Sequence, residues 1–200
     1  MSQRISIQEA NIPNVVTISK HLSKLVSTRN ISVNAVIEIR LEKTGDEKEI
    51  FDLTAVAFEP MAYSDSTEPQ VVNDLRADGD LTLSIVAVKN GKIVGHVAFS
   101  PIAISDNDIN WFGLGPISVL PELQRTGIGS AIINKGLSLL KEKGAAGCAL
   151  IGDPNYYGRF GFIGDGRLKY QQLPDALVQG LSFNDFYPEG VLTFRPAFGD

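Results

Sequence analysis

The run from Gly115 through Ser118-Val119-Leu120-Pro121 to Gln124-Arg125-Thr126-Gly127-Ile128-Gly129-Ser130 most constrains what this chain can become. A β-rich stretch ends there, and a glycine-rich turn opens straight into a long apolar-striped segment. Amides at the start of a helix have no partner inside it, and the helix dipole adds partial positive charge. Glycines at that turn let an anion approach those amides, so the arrangement is a phosphate cradle. Two other phosphate-binding patterns fail on spacing. A dinucleotide fingerprint needs a third small residue where Ile132 stands. A P-loop needs Ser or Thr after Gly-Lys, and Gly91-Lys92 is followed by Ile93.

Gln-x-x-Gly-x-Gly directly after such a strand end resembles the acetyl-coenzyme A signature of the GNAT superfamily of N-acetyltransferases. A second segment, Asn155-Tyr156-Tyr157-Gly158-Arg159-Phe160-Gly161-Phe162, is similar to that family's Tyr-x-x-x-Gly-Phe motif, with Tyr157 four residues before Gly161. The resemblance implies an α/β fold whose mixed central sheet is splayed between its fourth and fifth strands and flanked by helices. It further implies acetyl-coenzyme A as acyl-donor cosubstrate, with no metal. Donor contacts are expected at Ile117, Ser118, Val119, Gln124, Arg125, Thr126, Gly127, Ile128, Gly129, Ser130, Asn155 and Tyr157. The backbone of Ile117 and Val119 would pair with the amide-bearing pantetheine arm, and Tyr157 would approach the thioester sulfur.

The chemistry asks for an acid, because the departing thiolate is basic. A phenol with a pKa of about 10 can donate without being ionised at neutral pH. It also asks for a base, since an alkyl ammonium must lose its proton before it attacks. Glu59, after the first helix beside Pro60, and His96, on the third strand, are the candidates, with a water chain as an alternative to both. Cys148 lies in an apolar strand, the setting of an inert core thiol.

The pattern along the chain follows the same order. A strand is expected over Val36–Leu41, helices over Asp46–Phe58 and Glu68–Ala77, and strands over Leu83–Val88 and Ile93–Phe99. Asn90-Gly91 between the last two is a strong hairpin signal. A strand over Trp111–Val119 carries Gly113, Gly115 and Pro116, which mark a bulge. A helix over Gly127–Lys143, a strand over Cys148–Ile151 and a helix over Asp153–Phe160 come next. Strands over Leu181–Phe186 and Val191–Phe194 close the chain, and substrate loops are expected around 58–70 and 102–110. The implied wedge lies between Ile117–Val119 and Cys148–Ile151.

Residues 36–198 form the expected GNAT domain and 1–35 an extension. Val15, Ile18, Leu22, Leu25 and Val26 fall at helical spacing in that extension. Its Ser-rich, acid-poor composition is compatible with a transit peptide, but two arginines are few, and a short helix packed on the domain is the expectation.

A length of 200 residues, 44% hydrophobic and 20% charged, suits one globular domain. One cysteine excludes an internal disulfide and two histidines leave little for a metal. The net charge of −5 is uneven: the first 34 residues carry +3 and the remainder −8. An acidic body disfavours nucleic acid and suits a cationic amine. No apolar run approaches the ~18–20 residues that cross a bilayer. A cytoplasmic monomer or homodimer follows as the expectation. The leading function is direct acetyl transfer to a primary amine of a small molecule or protein. A non-catalytic acyl-coenzyme A sensor is the alternative, and a structural partner protein a more remote one.

Overall fold

The computed structural model describes residues 36–61, 66–105 and 107–199. The helix expected over Val15–Val26 lies outside them. The elements are β1 (Ile37–Leu41), α1 (Glu47–Phe58), α2 (Glu68–Ala77), β2 (Leu83–Lys89), β3 (Lys92–Ile104) and β4 (Asn107–Val119). After these come α3 (Ile128–Glu142), β5 (Gly147–Ile151), the one-turn α4 (Pro154–Tyr157), β6 (Leu168–Lys169), β7 (Val178–Ser182) and β8 (Gly190–Thr193). The main sheet runs β1-β2-β3-β4-β5-β7, with β8 pairing both β3 and β6. All neighbours on the main path are antiparallel except β4 and β5, which are parallel.

Strand alternation assigns a helix layer to each face. Ile85 and Ala87 of β2 join the cluster under α3, while Val86 and Val88 join Ile50, Leu53 and Val72 of α1 and α2. On α3, Ile132, Ile133 and Leu140 are fully buried. Each such side chain contributes about 1.5–3 kcal/mol by leaving water. Gly136 lets α3 lie directly on the Phe99 ring, where any Cβ would collide.

The β4 irregularity decides the shape of the sheet. Its register against β3 passes from Val97↔Ile117 to Phe99↔Leu114, so Gly115 and Pro116, joined by a cis peptide bond, together oppose Ala98. That bulge is where β4 leaves β5. The two strands pair at Trp111↔Gly147, Phe112↔Cys148 and Gly113↔Ala149, and their pairing ends there. The wedge therefore opens between Leu114–Val119 and Leu150–Ile151, two residues further along β5 and three residues earlier along β4 than the sequence implied.

Two further expectations are corrected, and one element is added. The 102–110 stretch is not a substrate loop: Ile102 and Ile104 are buried and continue β3, and β4 begins at Asn107. Strand β7 is Val178–Ser182 rather than Leu181–Phe186, because the Ser182 hydroxyl lies within hydrogen-bond distance of both Asn184 O and Phe186 O, donating to one of them, and turns the chain there. Finally, β6 carries no sequence signal, being two residues long and formed only by pairing with β8.

Candidate functional site

A cleft of about 710 Å³ opens at the wedge. It is lined by Ile117 and Val119 of β4, by Gln124, Arg125, Gly127, Gly129 and Ser130 at the start of α3, and by Asp153, Asn155, Tyr156 and Arg159 beyond β5. Leu120 N donates to Val94 O of β3 at 3.0 Å. Backbone direction alternates along a strand. Ser118 thus also faces β3, while Ile117 and Val119 turn their N–H and C=O groups to the open side. Gln124 Nε2 reaches back to Val119 O at 3.2 Å and ties the turn to the strand.

The turn itself is built for close approach. A short 3-10 turn, Pro121–Leu123, leads to extended Gln124, then Arg125 at φ 62° and Gly127 at φ 95°. The left-handed geometry at Gly127 suits glycine. The first intrahelical bond is Ala131 N to Gly127 O, so the amides of Ile128, Gly129 and Ser130 have no acceptor inside the helix. No acidic residue stands in the first turn of α3 to compete for them. A Cβ on Gly129 would sit 2.7 Å from the Tyr156 hydroxyl, so a side chain there would displace the end of that tyrosine. These features leave free amides and an open strand edge on one cleft, chemistry that suits phosphate oxygens and amide groups.

Across the cleft, Asp153 accepts from Asn155 N at 2.9 Å and starts α4. The Tyr156 ring meets Tyr157 edge-on at 4.9 Å and Phe160 at 5.7 Å. The two tyrosines point differently. Tyr156 lines the cleft beside the helix start, whereas the Tyr157 ring leans on Gly152 at the end of β5 and on Phe162.

Several expected site residues lie elsewhere. The Ser118 side chain is buried and donates to Thr54 Oγ1 at 3.2 Å, away from the cleft, because its neighbours on the strand face it. Thr126 Oγ1 donates to Leu123 O at 2.6 Å and shapes the turn. The Ile128 side chain is buried against Gly95, leaving only its amide for a ligand. Glu59 is exposed where α1 ends and does not line the cleft. Cys148 is fully buried, and burial pushes its thiol pKa up, far from a nucleophile's range. Asp153 and Arg159 line the cleft without having been singled out in the sequence. Arg159 had one available signal, its place inside the Tyr-x-x-x-Gly-Phe segment.

His96 does not face the wedge. It is fully buried on the α1 and α2 side, its Nε2 2.9 Å from Ser84 Oγ, which in turn donates to Glu42. Glu42 also accepts from Arg76 Nε at 2.8 Å. Desolvation, with Arg76 nearby, lowers the His96 pKa to about 3. The native state therefore refuses a proton that the unfolded chain takes up below its ordinary value of about 6.5. Stability contributed by neutral His96 is complete above pH 6.5 and is lost as pH falls toward 3. Urea titrations should show wild type losing about 2 kcal/mol more than His96→Gln between pH 6.5 and 5, at ~1.4 kcal/mol per unit. Equal losses would show that His96 is not held neutral.

A family model described as the acetyltransferase (GNAT) domain matches residues 38–163, most of the described fold and the whole cleft. The chain belongs to the GNAT acetyltransferase family. Its relatives include the N-acetyltransferase YhbS of Escherichia coli K12, 38% identical over 102 residues, which are 50% of this chain. The matched stretch spans 61% of that relative's length. Among solved structures, a GNAT acetyltransferase from Brucella melitensis in complex with acetyl-CoA is 43% identical. It aligns with a TM-score of 0.74 over 82% of this chain and 99% of its own. Escherichia coli YhbS in complex with CoA is 29% identical, with a TM-score of 0.77 over 86% and 97%.

Proposed function

We propose that this protein transfers acetyl from acetyl-coenzyme A to a primary amine in a ternary complex, without a covalent enzyme intermediate. The observation that carries this reading is one cleft with two matched walls: unpaired amides at the start of α3 and the outward-turned backbone of Ile117 and Val119. The first suits the pyrophosphate of the donor, and the second suits the amides of its pantetheine arm. The relatives solved with acetyl-CoA and CoA support the same assignment. Gln124, Arg125, Gly127, Gly129, Ser130 and Asn155 complete the donor site from positions on the cleft wall. Among the described residues no group of His, Cys, Asp and Glu could hold a metal ion. No helix among them is long and apolar enough to cross a membrane.

In this proposal the neutral amine attacks the thioester carbonyl. A C–N bond forms, the C–S bond breaks, and the thiolate takes a proton. Tyr157 supplies that proton. The Tyr156 hydroxyl stands over the first turn of α3, at the phosphate end of the cleft. Tyr157 does not itself line the cleft but leans on Gly152 at the end of β5, the strand across the wedge from Ile117 and Val119. A fully buried His96 with a pKa near 3 is a poor acceptor for an ammonium proton. Glu59, which does not line the cleft, would reach the amine only through a water chain. Much of the rate comes from holding amine and thioester in attack geometry.

The decisive experiment is an acceptor screen that follows release of free coenzyme A with polyamines, amino acids, amino sugars and peptide amines. Turnover with an amine supports the reading; tight donor binding with no turnover across the panel would favour the acyl-coenzyme A sensor. With an acceptor in hand, initial-rate lines should intersect, and Cys148→Ala should keep turnover within about threefold, as for a core thiol. Parallel lines with acetyl trapped on Cys148 would instead establish a ping-pong route.

A further inference from the structure

Six arginines lie among the described residues, and four have carboxylate partners. Arg40 pairs with Asp46 at 2.6 Å, Arg76 with Glu42 at 2.8 Å, Arg167 with Asp165 at 2.7 Å and Arg195 with Asp80 at 3.4 Å. Arg125 and Arg159 have no carboxylate partner among the described residues, and both line the cleft. Among the described residues, the guanidinium groups without a carboxylate partner thus gather at the cleft.

Arg159 is also pre-oriented. Its Nε donates to Tyr156 O at 2.8 Å, and its guanidinium carbon lies 4.7 Å from the Tyr156 ring centroid. Stacking and a backbone anchor restrict a side chain that otherwise loses much freedom on binding. Its Nη2 also makes a long contact of 3.5 Å with Asn155 O, and the remaining guanidinium donors keep the fork geometry that matches a phosphate. The amides and dipole of α3 already serve one diphosphate. Two additional full positive charges suit a second, separate phosphate. A phosphomonoester at neutral pH carries about −1.5 to −2 charges, more than a bridging diester unit.

We propose that Arg159, held by Tyr156 and assisted by Arg125, is a specificity-determining residue that reads the 3′-phosphate on the ribose of coenzyme A. The cleft then selects the 3′-phosphorylated donor over its dephosphorylated form. This deepens the acetyl-coenzyme A reading and rests on it.

Titration calorimetry with acetyl-coenzyme A and acetyl-3′-dephospho-coenzyme A tests it. Wild type should prefer the phosphorylated donor roughly 30-fold, the size of one charge-assisted pair. Arg159→Gln should reduce the preference below about threefold, by weakening acetyl-coenzyme A alone and leaving the dephospho form unchanged. Tyr156→Leu, which removes the stacking ring, should fall between the two, and Arg125→Gln should lower the preference less than Arg159→Gln. A wild type that binds both donors equally, or an Arg159→Gln that weakens both by one factor, overturns the assignment. Failure of wild type to bind either donor would overturn the coenzyme A reading itself and this inference with it, a distinct outcome.

Discussion

Acetyl-coenzyme A should raise the unfolding temperature of the wild-type protein, and Gly129→Asp should abolish that rise. A ligand specific to the native state at 100 times its Kd stabilises by about 2.7 kcal/mol. For a chain of this length that corresponds to roughly 5–10 °C, at ~2–4 °C per kcal/mol. Two effects act at Gly129. A Cβ would lie 2.7 Å from the Tyr156 hydroxyl and push that ring. The carboxylate would also occupy the place of the incoming phosphate and repel it. The charge is the decisive part, and Gly129→Ala separates the two by keeping only the steric one. Asp in the first turn of a helix is otherwise favourable toward the dipole. The ligand-free variant should therefore melt near wild type, so lost binding would not reflect lost folding. An equal ligand-induced shift in wild type and Gly129→Asp, by calorimetry, would remove the cradle from this cleft.

Tyr157→Phe should lower turnover about 10²-fold or more, within the usual contribution of a positioned acid. The substitution retains the ring, so the contacts with Gly152, Tyr156 and Phe162 survive and only the hydroxyl is lost. The Kd for acetyl-coenzyme A should barely change, because the cradle at Gly127 and Gly129 and the strand edge at Ile117 and Val119 are untouched. Tyr156→Phe is the matched control: it retains the ring beneath Arg159 and should leave turnover near wild type. Equal turnover of wild type and Tyr157→Phe at saturating acceptor would assign thiolate protonation to another group or to water. A selective loss in Tyr156→Phe would place the acid on the neighbouring tyrosine.

Local chemistry accounts for most of the architecture. Gly127 and Gly129 after a strand end, Asn90-Gly91 between two alternating runs, and Gly113, Gly115 and Pro116 inside a strand each act through backbone geometry. Backbone geometry is set within a few residues, so turn, hairpin and bulge all stand where the pattern put them. Apolar periodicity likewise located α1, α2 and α3 to within two residues at each end.

The direction of individual side chains was a different matter. The sequence pattern puts Ser118 and His96 at the cleft, whereas in the fold both point into the polar layer beneath α1 and α2. Both faces of β3 and β4 are covered by helices, so no inside-outside alternation marks which face a polar residue takes. Their partners are Thr54, 64 positions from Ser118, and Ser84, 12 positions from His96. Arg159 is inconspicuous in the sequence for a related reason: its lack of a carboxylate partner among the described residues becomes visible only when distant segments meet.

Sequence alone therefore determined the order of the main elements, the glycine turn before α3 and the bulge that opens the sheet, because each depends on conformations available to a few adjacent residues. The tertiary structure decided where the wedge begins along β5, which tyrosine faces the helix start and which arginines are left unpaired. Those depend on which side chains distant strands and helices bring within a few ångströms of one another.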